Sequence, residues 1–86
     1  MRLELPGVDS LKEKRRIIKS LMARLQNKFN ISIAEVEEND RHRSAVIGAA
    51  IITNDSAFGD SVMAQVVNHV QTSSEAILAD YSTEIY

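Results

Sequence analysis

Residues 31–52, ISIAEVEENDRHRSAVIGAAII, hold two strand-like runs with a turn between them and no helix. The first, ISIAEVEE at 31–38, is an alternating run with a polar end. Asn39 and Asp40 are turn formers, because their short side chains bond to nearby backbone. The second, SAVIGAAII at 44–52, is the most continuous apolar run in the chain. Both of its faces are apolar, with Val46, Ala50 and Ile52 on one and Ala45, Ile47 and Ile51 on the other. Such a strand is expected at the centre of a sheet with something covering each side.

Helical patterns flank this pair. Upstream, Ser10 and Glu13 have the S-x-x-E spacing of a capping box, in which each side chain satisfies a free amide of the first helical turn. Leu11, Ile18, Leu21, Met22, Leu25 and Phe29 then recur at offsets of three, four and seven, which places them on one helix face. Asn30 is the expected stop, since Asn tolerates a left-handed backbone. Downstream, Thr53, Asn54 and Asp55 end the third strand, and Asn54 or Asp55 can cap a helix over 56–71. Phe58, Val62, Val66 and Val70 line that helix, although Gly59 and the valines make it weak by propensity. Residues 72–74 read as a loop.

The two ends complete the pattern. RLEL at 2–5 alternates as a short strand, and Pro6-Gly7 turns the chain. Residues 77–86 also alternate, with Ile77, Ala79, Tyr81 and Ile85 on one face and Asp80, Ser82 and Glu84 on the other. The order strand, helix, strand, strand, helix, strand predicts an α+β fold. It is a ferredoxin-like βαββαβ sandwich of one domain over residues 1–86, with two helices on one face of a four-stranded antiparallel sheet. The first and third strands would be central, and Glu35, Glu37 and Glu38 would guard the second against edge pairing.

Composition narrows the function classes. Eighty-six residues bury roughly 60–65% of the unfolded surface, enough for one core. With no cysteine, disulfides and thiolate chemistry are excluded, and a cytoplasmic location is the expectation. No apolar run approaches the roughly 18 residues of a membrane span, and MRLELPG lacks the apolar core of a signal peptide. The formal charge of −2 hides a dipole: residues 1–43 carry +3 and residues 44–86 carry −5. Seven of the ten bases lie in SLKEKRRIIKSLMARLQNKFN, residues 10–30, with Glu13 as the only acid among them. That segment carries +6. It is the one feature that points to a class of partner, an anionic one.

SLKEKRRIIKSL, the following NKFNISIAEVEE and the later AVIGAAIITND resemble the YlxP-like family of small bacterial domains of unknown function. The likeness runs over nearly the whole chain, and the SLKEKR segment with its downstream KSL is its most specific part. The resemblance implies a ferredoxin-like fold. It also implies a link to translation or ribosome maturation, because genes for such proteins often sit beside translation-factor and ribosome-maturation genes. Relatives usually begin with several more apolar residues before the stretch matching Arg2–Pro6, so a longer native first strand is expected.

On the helix, Lys12, Arg15, Arg16 and Lys19 fall within about 100° of one another. They are the candidate RNA-binding residues, spaced to follow adjacent phosphates and release counterions, with ribosomal RNA or the small ribosomal subunit as the expected partner. A solvated helix surface, in which basic stems cover the core edges, is the competing account. Arg24 and Lys28 lie on the other flank, and Lys14, near the apolar face, is expected to snorkel or pair with an acid. Base stacking on the sheet is disfavoured, because RLEL and SAVIGAAII contain no aromatic residue and Tyr81 and Tyr86 fall on the edge strand. His42 near Asp40, and His69, make no metal-ligand set. PGVDS lacks the arginine and glycine-rich loop of small acyl-phosphate hydrolases with this fold, and no nucleophile–base pair stands out. No cofactor is expected, no small-molecule substrate site is recognisable, and the domain is read as non-enzymatic. The alternative is a self-associating or protein-interaction module, such as a homodimer that covers the open face of the third strand.

Overall fold

The computed structural model describes residues 1–37, 41–73 and 75–84. Its elements are β1 (Arg2–Glu4), α1 (Leu11–Lys28), β2 (Ser32–Glu37), β3 (Ser44–Ala50), α2 (Ser56–Ser73) and β4 (Ile77–Asp80). The Asn39–Asp40 turn, Glu38, Ser74, Ile85 and Tyr86 lie outside the described residues.

The sheet order is β2-β3-β1-β4, with every neighbouring pair antiparallel. This is the ferredoxin-like arrangement, with β1 and β3 central. Leu3, Ala45 and Ile47 from the sheet meet Ile17, Ile18, Leu21 and Leu25 of α1 and Val66 and Val70 of α2 in one core. Two-residue alternation explains which strand residues enter it. Leu3 and Leu5 are inside, whereas Arg2 and Glu4 face solvent on the open side of the sheet.

Several boundaries differ from the sequence pattern. β4 stops at Asp80, and its core residue is Leu78, on the face that the alternation marks as polar; Ile77 is exposed. The register explains this: Leu78 lies opposite Leu3, whose side chain points at the helices. α1 ends at Phe29, which is extended (φ −127°, ψ 144°) and donates its N–H to the Leu25 carbonyl at 2.8 Å, instead of at a left-handed Asn30. α2 runs through residues 72 and 73, which the pattern assigns to a loop. Phe58 is exposed at the start of α2, so the buried stripe of that helix is Val66 and Val70, with Val62 partly buried. Asp55 is the cap, its Oδ1 accepting from the N–H groups of Ala57 and Phe58 at 3.0 and 3.2 Å.

β3 is covered on one side only. Ala45 and Ile47 are buried beneath the helices, while Val46, Gly48 and Ala50 lie on the open face. Gly48 fits there because a Cβ would stand 3.3 Å from Cγ1 of Val36, beside the bulge in β2. Ile52, counted in the strand by the pattern, lies beyond it and is fully exposed. Among the described residues, no helix is long and apolar enough to cross a membrane.

Candidate nucleic-acid interface on the first helix

The start of α1 is held from three directions. Pro6-Gly7 forms a tight turn, with Gly7 at φ 79° and the Val8 N–H donating to the Leu5 carbonyl at 3.3 Å. Ser10 Oγ accepts from the Glu13 N–H at 3.1 Å. The return half of the capping box reaches one residue further, since Glu13 Oε2 accepts from the Asp9 N–H at 3.4 Å. Arg43, on the segment entering β3, donates to the Val8 carbonyl at 3.1 Å and pairs with Asp9 at 3.3 Å. No sequence signal marks Arg43 for this role, because its partners are more than thirty residues away.

The inner face of α1 contains Ile17, Ile18, Leu21 and Leu25, all buried. Ile17 belongs to this face although the offset pattern omits it, and Leu11 at the first turn is only partly buried. At the centre of the same arc lies Lys14. Its side chain is 1% exposed, and its Nζ stands 2.8 Å from Oε2 of Glu35, which is 20% exposed. The expectation that Lys14 pairs with an acid is met. The expectation that Glu35 guards the edge of β2 is not, because β2 alternation turns Glu35 under α1 together with Ile33. A desolvated pair of this kind is satisfied at one rotation of the helix, which pins α1 against β2 and sets what its far side presents.

That far side presents Lys12, Arg15, Arg16 and Lys19, all exposed. From Lys12 to Lys19 the stripe spans about 10 Å of helix axis. Arg16 also approaches Glu75 at 3.7 Å, with both side chains more than 60% exposed. Such a surface pair contributes little and exchanges readily with another anion. Glu13, the only acid in the first turn, is engaged by the cap. The sequence-derived stripe is therefore brought together on one solvated face.

The other basic residues of α1 are differently placed. Arg24 donates to Ser20 Oγ at 3.4 Å. Lys28 Nζ lies 5.8 Å from the centroid of the Phe29 ring, and that ring meets His69 of α2 edge-on at 6.3 Å and 82°. Desolvation, with Lys28 and Arg24 nearby, holds the His69 imidazole below the usual histidine range. His42 lies before β3, on the segment entering it, and among the described residues no three His, Asp or Glu side chains gather as metal ligands.

The family model described as "Protein of unknown function (DUF503)" matches residues 1–83. The chain belongs to the DUF503 family. A relative, "Uncharacterized protein YlxP" of Bacillus subtilis (strain 168), is 42% identical over 45 residues, which are 52% of this chain and 49% of that protein. The matched segment thus spans about half the length of this curated relative. The resemblance drawn from SLKEKRRIIKSL and the two later segments agrees with this membership.

Proposed function

We propose that this DUF503 domain is a non-enzymatic RNA-binding module that contacts the backbone of structured, ribosomal RNA through α1. The observation that supports it is the sorting of cations on that helix. Lys14 is consumed in the core by Glu35, while Lys12, Arg15, Arg16 and Lys19 share one solvated face. A helix that only needed solubility would gain as much from mixed charges. A one-sign stripe suits a polyanion. Arg15 and Arg16 can each offer a bidentate fork to a phosphate, and Lys12 and Lys19 add point charges one or two turns along. In this reading, sequence preference is modest and salt dependence steep.

The test is co-sedimentation with ribosomal subunits, comparing the wild type with Arg15→Glu/Arg16→Glu across a salt series. Loss of binding with an unchanged circular-dichroism spectrum supports the assignment, and equal binding by the two proteins removes it.

One observation favours a second reading, self-association through the open sheet face. Val36 on β2 and Ile77 on β4 are 56% and 57% exposed there. The exposed Arg2 and Glu4 of β1 lie between the two strands and break the apolar area in two, so the RNA reading is preferred. Light scattering at tens of micromolar protein decides this point, since a monomer leaves no role for the face as a dimer interface.

A further inference from the structure

Three acids border the N-terminal end of the basic stripe, and each is held differently. Asp9 pairs with Arg43 at 3.3 Å. Glu13 accepts from the Asp9 N–H at 3.4 Å. Glu75, on the segment between α2 and β4, approaches Arg16 at 3.7 Å. The first two carboxylates are engaged by groups outside the stripe, whereas Glu75 engages a cation of the stripe itself. Among the described residues, no acid pairs with Lys12, Arg15 or Lys19.

The contact is poorly suited to holding the fold. The Arg16 and Glu75 side chains are 63% and 67% exposed, and a surface pair of this kind contributes little to stability. Its effect on an incoming anion is more direct. A phosphate that reaches Arg16 must displace the Glu75 carboxylate. The displaced carboxylate then stands beside the bound anion and takes up a cation from solution. That uptake cancels part of the counterion release on which phosphate binding depends. An isolated phosphate at Arg16 therefore exchanges one anion for another with no net gain. A backbone that also reaches Lys12, Arg15 and Lys19 gains three contacts without a displacement.

We propose that Glu75 is an autoinhibitory residue of the stripe, occupying Arg16 in the free protein and leaving it when a phosphate backbone engages all four cations. The inference rests on the RNA reading and adds to it a residue from the half of the chain, residues 44–86, that carries no base. Glu75 thereby lowers the affinity of the stripe for every anion and leaves measurable binding only to those with several phosphates in a row.

The probe is a fluorescently labelled RNA hairpin. Its anisotropy is followed on titration with the wild type, Glu75→Gln, Arg16→Gln and the double variant, at about 50 and 200 mM salt. All four proteins should share one circular-dichroism spectrum, because the pair is exposed. Glu75→Gln should bind the hairpin about two- to fivefold more tightly at the lower salt, the range that an exposed ion pair spans. That gain should at least halve at the higher salt. In the Arg16→Gln background the same substitution should give less than half the gain, because no guanidinium is left to compete for. Equal affinity of wild type and Glu75→Gln at the lower salt overturns the inference. A gain that is the same at both salt concentrations, or that Arg16→Gln does not diminish, also overturns it. Those results leave the RNA reading standing, since the wild type still binds. Absence of hairpin binding by all four proteins removes the RNA reading and this inference with it.

Discussion

The Lys14–Glu35 pair offers the sharpest test of how the fold presents its basic stripe. Replacing Glu35 with Gln removes the carboxylate 2.8 Å from an ammonium that is only 1% exposed. Breaking a buried pair in this way costs about 3–5 kcal/mol, and the partial exposure of Glu35 places the expected loss near the lower end, about 3 kcal/mol. An 86-residue domain has an unfolding entropy of roughly 180 cal/mol/K, so the melting temperature should fall by roughly 15–20 °C. Lys14→Met should behave differently. It keeps the apolar stem and removes the charge, and the partly exposed Glu35 carboxylate can turn to water. Its expected effect is within about 1 kcal/mol. Adding Glu35→Gln to the Lys14→Met protein should then change little, giving a coupling of about 2–3 kcal/mol between the two sites. The assay is urea unfolding of the four proteins followed by circular dichroism. If Glu35→Gln has the same effect in the wild type and in the Lys14→Met protein, the coupling is zero and the pair does not set the helix.

Four phosphate contacts predict a slope of about −3 in log K against log salt, so affinity for structured RNA should fall roughly 50- to 150-fold between about 50 and 200 mM salt. Arg15→Glu/Arg16→Glu should at least halve that slope, and an unchanged slope would count against these two arginines. His69 titrates below its ordinary value in the fold, so the unfolded chain takes up the proton first as pH falls. The stability linked to His69 is therefore complete above about pH 6.5 and is lost as pH drops from there through the folded pKa; His69→Gln should shrink the fall in melting temperature between about pH 7.5 and 5.5. Gly7→Ala should cost about 1–2 kcal/mol, purely from the left-handed backbone at φ 79°, because a Cβ there would meet nothing within 4 Å. A melting temperature equal to wild type would show that the turn does not hold this geometry in solution.

The sequence by itself determined the element order and hence the fold. Ser10 and Glu13 mark the start of α1, Pro6-Gly7 marks a turn, and SAVIGAAII marks a central strand, each through interactions within a few residues. It also determined the exposed stripe, because Lys12, Arg15, Arg16 and Lys19 share a face through helix geometry alone. Facts set by distant partners needed the tertiary structure. The face of β4 that enters the core depends on Leu3, more than seventy residues away, so alternation showed a period without choosing a side. Glu35 has the appearance of an edge charge until α1 brings Lys14 against it, and Arg43 has no visible role until β3 carries it beside Asp9. Local propensity and periodicity act over one or two turns, whereas face selection and charge burial are settled by which surfaces meet.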